Sequence, residues 1–210
     1  MTTLRRLIAA AVALTTAATL AACGSSQTPN ENPSLVPGAS PGGSLRIGID
    51  TDQPGLGMKV GGTYEGFDVD TATYVAKALG VGAGNISWVE ATPENRENLL
   101  TSGAVDLVVS TYSITDERKQ VIDFAGPYFL AHQDLLVRRN EEEITGPETL
   151  DGRVLCSVPG TTSAARVKDL FRGRIELREY SRFSDCVQAL ARSEVLFSEA
   201  RGRFDGFDTG

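Results

Sequence analysis

Short apolar runs separated by amphipathic stretches make up the first half of the chain. Runs at residues 44–50, 86–90 and 105–109 predict strands, and the last run has the continuous apolar character of a strand buried on both faces. Between the first two runs, apolar side chains recur three or four positions apart. This spacing predicts a helix over residues 69–79, with Asp68 as the residue that caps its start.

Strands and helices continue to alternate after the second run. A short helix is predicted over residues 94–101, and a further helix is expected to begin at Thr115, whose hydroxyl can cap it. A short strand is then expected near residues 122–124 and a longer strand at 134–138. This order favours a mostly parallel α/β sheet. The Gly-rich stretch 51–66 is expected to be a loop.

The pattern restarts after a charged run at residues 140–143. The elements expected there are strands at 154–158 and 175–180 and helices at 163–171 and 183–191. We therefore predict a first α/β lobe over residues 44–139 and a partial second α/β lobe over residues 140–195.

The first 22 residues have the organisation of an export signal. Arg5 and Arg6 form a basic start, an apolar stretch follows, and small residues precede Cys23. The segment 1–22 is too short for a stable spanning helix. Its end resembles a lipoprotein cleavage site, after which an acylated Cys23 would hold the chain on the outer face of the cytoplasmic membrane. The alternative is an ordinary signal peptide followed by a chance cysteine.

Composition narrows the function classes further. Residues 23–43 are rich in Ser, Pro, Gly and Asn and cannot bury a core, so we expect a disordered linker after the lipidated cysteine. The chain carries 27 acidic and 20 basic side chains, which give a formal charge of −7. Such a negative chain argues against nucleic acid as a partner.

Cysteine and histidine usage limits the chemistry. Cys156 and Cys186 are the only cysteines after Cys23, and in an exported chain they predict one disulfide. The chain has a single histidine and no Cys-x-x-Cys motif. We therefore expect neither a metal site nor a cofactor.

Hydroxyl side chains and an arginine follow the third apolar run, at the strand end where open α/β sheets bind their ligands. Ser110, Thr111 and Ser113 lie at that end, and Arg118 falls in the first turn of the next predicted helix. Free N–H groups at a helix start suit an anion, and a guanidinium can hold a carboxylate in two parallel hydrogen bonds. Alternatively, the hydroxyls are helix caps and Arg118 is a surface ion-pair partner.

The second lobe repeats this arrangement. Its segment Pro-Gly-Thr-Thr, residues 159–162, ends a predicted strand and opens a predicted helix. Two such helix starts, one in each lobe, predict a ligand cleft between the lobes. The aromatic residues near these segments either line that cleft or fill the core, and the sequence leaves both open: Tyr64, Phe67, Tyr112 and Tyr128.

Three blocks of the sequence form a recognisable set: GFDVDTATYVAKALGV, ENRENLLTSGAVDLVVSTYSITDERKQVIDFAGPYF and TLDGRVLCSVPGTTSAARVKDL. Together they resemble the family 3 extracellular solute-binding proteins, which are the amino-acid receptors of ATP-binding-cassette importers. Shorter stretches, such as STYSI and SDCVQAL, are similar to the glutamate-binding lipoproteins of that family. The resemblance covers about residues 44–195. It implies a periplasmic-binding-protein-like two-lobe fold (type II), an amino-acid ligand, a membrane permease as partner, and no catalytic residues.

The resemblance also implies a ligand site. Carried over by position, its residues are Arg96, Thr111, Ser113, Arg118, Thr161 and Thr162. Arg118 would hold the α-carboxylate of the ligand, and Arg96 would meet the second carboxylate of glutamate, since a buried charge without a partner is costly. The alternative for Arg96 is a solvated helix arginine close to acidic neighbours.

Residues 196–210 depart from the family pattern and show neither strand nor helix periodicity. The resemblance implies further strands and helices in that region, so we expect an incomplete second lobe and an aberrant tail. On this hypothesis the chain is a truncated or frameshifted receptor that binds weakly or not at all. The other hypotheses are an enzyme on the same fold, similar to periplasmic dehydratases, and the product of a pseudogene.

Overall fold

A computed structural model describes residues 43–195 and, for the strand that follows, the backbone of residues 197–201. The predicted export signal, Cys23, the linker and the rest of the tail lie outside these residues. Within the described part of the chain, no helix has the length and apolar character needed to cross a membrane.

Ten strands and four α-helices form the described structure. The strands are β1 (Leu45–Ile49), β2 (Asp52–Gln53), β3 (Gly57–Val60), β4 (Thr63–Glu65), β5 (Ile86–Glu90), β6 (Leu107–Val108), β7 (Gln133–Val137), β8 (Val154–Ser157), β9 (Glu176–Glu179) and β10 (Phe197–Arg201). The helices are α1 (Phe67–Ala78), α2 (Arg96–Thr101), α3 (Thr162–Phe171) and α4 (Phe183–Ala191). Short 3₁₀ turns lie at Ala83–Asn85, Arg118–Gln120 and Pro147–Thr149.

The first sheet has three parallel strands in the order β5-β1-β6. The central strand pairs Ile47 with Trp88 on one side and with Leu107 on the other. Ile47 is fully buried, and Ala72 and Ala76 of α1 belong to the same core. The predicted strands, helices and parallel pairing of this region are therefore confirmed, although β6 is shorter than the run at 105–109.

The sequence pattern predicts a loop at residues 51–66, and this prediction is wrong. The stretch contains the small antiparallel sheet β2-β3-β4. Gly66 ends this segment with a φ of 116°, and a Cβ there would lie 2.2 Å from the carbonyl oxygen of Leu56. Helix α1 begins directly after this glycine, so Asp68 lies inside the first turn and is not the N-cap. Its buried side chain instead serves the site described below.

The second sheet has four strands in the order β7-β10-β8-β9. Strand β7, which the sequence pattern places in the first lobe, pairs here with β10, because Leu135 and Val137 pack against the core of this sheet. Strand β10 is antiparallel to β7 and parallel to β8. Residues 197–201 therefore form a strand at an inner position of the sheet, although residues 196–210 show no strand periodicity.

Helices cover both faces of the second sheet. Leu155 of β8 packs in one core with Phe171 of α3, and the next residue, Cys156, packs in another core with α4. The structure contains the disulfide between Cys156 and Cys186, which joins β8 to α4 across a sequence separation of 30 residues. Successive side chains of β8 point to opposite faces of the sheet, so one packs against α3 and the next against α4.

Two predicted elements are absent from residues 110–132 of the described chain. The helix expected from Thr115 is reduced to the three-residue 3₁₀ turn Arg118–Gln120, and no strand forms at 122–124. The N-cap of this turn is Glu117 and not Thr115, although the Thr115 hydroxyl accepts a hydrogen bond from the Arg118 N–H at 3.3 Å. Of the two helix starts that the sequence suggests for an anion, the one near Thr115 is therefore absent, whereas the one at Thr162 forms as α3.

Candidate ligand-binding site

Arg96 opens helix α2 and is the largest fully buried side chain of the described residues, with 1% of its surface exposed. Its Nη1 donates to the carbonyl oxygen of Ser110 at 2.9 Å, and its Nη2 donates to that of Gly160 at 3.2 Å. The hypothesis of a solvated helix arginine is therefore wrong. A buried guanidinium at the end of the first sheet instead faces the loop that follows β8.

Arg118 reaches the same loop from a different direction. Its Nη1 donates to the carbonyl oxygen of Ser113 at 2.9 Å, and its Nη2 donates to that of Gly160, also at 2.9 Å. Its Nε lies 3.5 Å from Oε1 of Glu97, and 13% of the side chain is exposed. The expected surface pairing with the adjacent acids is made by Lys119 instead, which contacts Asp116.

Gly160 is the residue that brings the two arginines together, and sequence reasoning did not single out its carbonyl. Its φ of 77° lies in the left-handed region, and a Cβ at this position would stand 2.5 Å from the carbonyl oxygen of Pro93. Only glycine therefore allows the loop after β8 to approach the loop before α2 this closely. The sole signal in the sequence was the Pro-Gly-Thr-Thr segment itself.

Three hydroxyl side chains of the predicted site have two different roles: Ser113 and Thr162 contact each other, and Thr161 caps a helix. The Oγ of Ser113 lies 3.1 Å from Oγ1 of Thr162, a hydrogen bond between the two halves of the site. Thr161 is the N-cap of α3, and its Oγ1 accepts from the N–H of Ala164 at 3.1 Å. The helix-cap interpretation of the hydroxyls thus holds for Thr161, whereas Ser113 and Thr162 contact each other.

Thr111 is held by the buried carboxylate of Asp68, which the sequence pattern predicts as a helix cap. Its N–H donates to Oδ2 of Asp68 at 2.9 Å, and Oδ1 of Asp68 accepts from the hydroxyl of Tyr128, also at 2.9 Å. Burial raises the pKa of the Asp68 carboxyl, and the two hydrogen bonds act in the opposite direction. Thr111 has a φ of 45°, an uncommon value for a residue with a side chain, which this hydrogen bond supports.

Tyr112 contacts both arginines of the site. The centroid of its ring lies 4.0 Å from Cζ of Arg96 and 4.4 Å from Cζ of Arg118. The Tyr112 hydroxyl donates to Oε1 of Glu97. Of the two roles left open for this aromatic residue, it therefore lines the site.

The other aromatic residues stand apart from the arginines. Tyr64 stacks on Trp88, with ring centroids 5.6 Å apart, and packs against the first core. Phe67 packs against Tyr128 and Phe129 beside a cavity of about 560 Å³, and all three side chains remain partly exposed. The walls of this cavity are mainly apolar, but Thr111, Tyr112 and Ser113 also line it, so it adjoins the predicted site.

A second polar contact joins the small sheet to α4. Oδ2 of Asp52 accepts a hydrogen bond from the N–H of Ser184 at 2.9 Å, in the first turn of that helix. Arg182 lies beside it, 3.6 Å from Asp52 and 3.8 Å from Glu90. A carboxylate at a helix N-terminus is favourable, and none of these residues was identified from the sequence.

The arrangement has a clear chemical preference. Two guanidinium groups donate to one acceptor oxygen, that of Gly160, and the hydroxyls of Ser113 and Thr162 lie close to the same loops. Convergent N–H donors on arginine side chains recognise carboxylates and phosphates. Among the described residues, no group of three acidic, histidine or cysteine side chains could hold a metal ion.

Comparison with known proteins identifies the family of this chain. A sequence profile of the bacterial extracellular solute-binding proteins, family 3, matches residues 45–207. The match therefore continues past residue 195, where the resemblance described in the sequence analysis ends. The glutamate-binding protein GluB of Corynebacterium glutamicum is 42% identical to this chain over 159 residues. That alignment covers 73% of this chain and 54% of GluB, so the chain spans little more than half the length of this relative.

Solved structures of the same kind are similar in three dimensions. An ancestral arginine-binding protein bound to arginine matches with a TM-score of 0.71 and 30% identity, over 77% of this chain and 71% of that one. An ancestral amino acid-binding protein, a precursor of cyclohexadienyl dehydratase, matches with a TM-score of 0.69 and 30% identity, over 76% and 71% of the two chains. These matches confirm the two-lobe α/β fold. The chain therefore belongs to the bacterial extracellular solute-binding proteins, family 3.

Proposed function

We propose that this chain is the ligand-binding component of an importer for an acidic amino acid, with glutamate as the preferred ligand. The observation that carries the proposal is the convergence of Arg96 and Arg118 on the carbonyl oxygen of Gly160. Arg96 is fully buried and 13% of the Arg118 side chain is exposed, and the two carboxylates of glutamate would offset the cost of removing these cations from water. Arg118 holds the α-carboxylate and Arg96 the side-chain carboxylate, with Thr111, Ser113, Thr161 and Thr162 as the other contacts.

The names of the similar proteins support a binding role. GluB is described as a glutamate-binding protein, and the first solved structure holds arginine, so both are proteins that bind an amino acid. The second solved structure is a precursor of a dehydratase, which keeps an enzyme on this fold as the alternative. We infer binding without turnover, because the profile that matches this chain is one of solute-binding proteins.

The proposed partner is the permease of an ATP-binding-cassette importer, and the proposed location is the outer face of the cytoplasmic membrane. The support for the anchor is the export-like segment that ends at Cys23. Cys23→Ala should release the protein from the membrane fraction or leave it unprocessed. Unchanged fractionation of this variant would exclude the lipid anchor.

The function is tested by titrating the chain with glutamate, glutamine and arginine while heat and backbone NMR shifts are recorded. We expect glutamate to bind more tightly than glutamine, since only glutamate brings a second carboxylate. No response to millimolar glutamate, or a preference for arginine, would contradict the proposal.

Turnover is tested in the same samples. Incubation with glutamate and with prephenate-like acids should return each compound unchanged, as judged by one-dimensional proton spectra. Product formation that depends on the protein would favour the enzyme instead.

A further inference from the structure

We infer that Tyr112 is a positioning residue that holds the guanidinium groups of Arg96 and Arg118 together for a carboxylate ligand. The inference rests on the proposed function, because it explains how a site with two adjacent cations stays assembled. It goes beyond the ligand contacts proposed above by adding an aromatic side chain that acts through both arginines.

The ring of Tyr112 is close to both cations at once. The Cζ atoms of Arg96 and Arg118 lie 4.0 Å and 4.4 Å from the ring centroid, within the range in which a cation is attracted to the electron-rich face of an aromatic ring. Both guanidinium groups also donate to the same oxygen of Gly160. Two like charges that converge in this way repel each other, and the ring offsets part of that repulsion.

The ring is itself fixed at its polar end. The Tyr112 hydroxyl donates to Oε1 of Glu97, and the same oxygen lies 3.5 Å from Nε of Arg118. Glu97 directly follows Arg96 in α2, so this one carboxylate ties the phenol to the helix that carries the first arginine. The aromatic ring of Phe124 packs on Tyr112 with centroids 5.3 Å apart.

The phenol keeps its proton at neutral pH. Burial raises the pKa of the Tyr112 hydroxyl, and the hydrogen bond to Glu97 raises it further. The hydroxyl therefore remains a donor to Glu97, and the ring adds no third charge to the site.

A filler of the core and a positioning residue make different demands on this side chain. Packing alone requires volume, which an aliphatic residue partly supplies, whereas positioning requires the electron-rich face of the ring. Tyr112→Phe keeps that face and removes only the hydroxyl, and Tyr112→Leu removes the face. A fluorinated phenylalanine at the same position keeps the ring shape and weakens the attraction for cations. Tyr74→Leu is the matched control, because Tyr74 lies on the same lobe with 74% of its surface exposed.

The first measurement is the NMR spectrum of the arginine Nε–H groups. In the unmodified protein and in Tyr112→Phe, we expect the Arg96 and Arg118 signals to show the shift that a nearby ring produces. Tyr112→Leu should move both signals towards the values of exposed arginines, and Tyr74→Leu should leave them unchanged. Unmoved signals in a folded Tyr112→Leu protein would overturn the inference, and so would loss of the ring shift in Tyr112→Phe.

The second measurement is glutamate affinity. Tyr112→Leu should weaken binding by about tenfold and Tyr112→Phe by less than about threefold, with the fluorinated ring between them. Equal loss in the Leu and Phe variants, or no effect of fluorination, would overturn the inference. If the unmodified chain binds no glutamate, the proposed function fails, and the fluorinated variant, which keeps the ring, decides the positioning role: movement of both arginine signals towards exposed values supports it and unmoved signals overturn it. The Phe and fluorinated variants keep this test decisive if Tyr112→Leu does not fold.

Discussion

The carbonyl oxygen of Gly160 accepts a hydrogen bond from Nη2 of Arg118 at 2.9 Å, across a sequence separation of 42 residues. This contact connects the loop after β8 with the turn that follows the first sheet. Because Arg96 donates to the same oxygen, a single backbone group occupies N–H donors that the proposed function assigns to ligand carboxylates. The two carboxylates of glutamate would therefore meet guanidinium groups that the folded chain already pairs with this backbone oxygen.

Replacing Gly160 with alanine should separate the two loops. The substitution carries the cost of a left-handed backbone, about 1–2 kcal/mol, and adds a Cβ that would stand 2.5 Å from the Pro93 carbonyl oxygen. We expect an additional loss of about 1–3 kcal/mol in the free energy of unfolding from this overlap. Urea unfolding followed by circular dichroism measures it.

Gly152→Ala is the control for that experiment. Gly152 has a φ of 75°, and a Cβ there would meet no atom within 4 Å. The two variants share the backbone cost, so the difference between them isolates the contact with Pro93. Equal stability of the two variants would show that the loops are not held together at Gly160.

Removing the guanidinium of Arg118 should reduce the free energy of glutamate binding by about 2–5 kcal/mol, as expected when one partner of a buried charge pair is lost. Arg118→Lys should recover only part of this loss, since lysine keeps the charge but not the planar pair of donors. Isothermal titration calorimetry measures both variants. A loss below about 1 kcal/mol would leave Arg118 without a role in the ligand site.

Arg96→Ala should weaken glutamate binding much more than glutamine binding. The reason is that Arg96 is proposed to meet the side-chain carboxylate, which glutamine lacks. The same calorimetric titration with both ligands gives the two differences. Equal losses would mean that Arg96 serves the α-carboxylate, a role compatible with its contact to Gly160.

The disulfide should contribute about 3–4 kcal/mol to the free energy of unfolding, by closing a loop of 30 residues in the unfolded chain. Mass spectrometry of the unreduced protein should show peptides linked through Cys156 and Cys186. The double variant Cys156→Ala, Cys186→Ala should unfold at lower urea, and a reducing agent should not destabilise it further. Two freely alkylated thiols in the unreduced protein would contradict the prediction.

Asp68 should titrate above its ordinary pKa of 3.8 in the folded protein, because burial raises that pKa. A carboxyl whose pKa is raised by folding binds more protons in the folded protein than in the unfolded chain. Its contribution to the free energy of unfolding is therefore complete below pH 3.8 and is lost as the pH rises through the pKa of the folded state. Carboxyl carbon NMR shifts report the midpoint. Tyr128→Phe should raise the midpoint further, since the Tyr128 hydroxyl donates to Asp68.

Asp106 is the control for this titration, because its pKa is shifted in the direction opposite to that of Asp68. Its pKa is lowered by the hydrogen bond from Arg46, which reaches Oδ1 at 2.6 Å. A midpoint for Asp68 at or below that of Asp106 would contradict the assignment of a buried carboxyl at this position.

Asp52→Asn should destabilise the protein by about 1 kcal/mol, because the first turn of α4 loses a negative charge beside the N–H of Ser184. Asp116→Asn is the control, since Asp116 is an exposed partner of Lys119 and its loss should cost less than about 0.5 kcal/mol. Urea unfolding at low and high salt measures both. Equal losses of stability in the two variants would contradict a stabilising contact between Asp52 and the first turn of α4.

Local patterns were sufficient for much of the architecture. Strand β5 and helix α4 have the bounds that the spacing of apolar residues predicts, and the parallel first sheet follows from the alternation of strands and helices. The cysteine count likewise predicted the pair Cys156 and Cys186. These features depend on neighbours within a few residues or on a small choice of partners, so the sequence contains enough information for them.

Strand pairing was decided by tertiary structure. Residues 197–201 show no strand periodicity, yet they lie between β7 and β8, where neighbouring strands on both sides satisfy their backbone hydrogen bonds. Strand β7 joins the second sheet because Leu135 and Val137 find their apolar partners there. Neither outcome depends on the local pattern, since a strand is completed by partners that are distant in the chain.

The site divides in the same way. The sequence by itself determined which side chains were available for a carboxylate, including Arg96 and Arg118, because their chemistry is a property of the residue type. Only the folded chain decided that both donate to the backbone oxygen of Gly160, and that the face of Tyr112 lies against both. Every residue carries a backbone carbonyl, so no sequence pattern marks which carbonyl a distant arginine will meet.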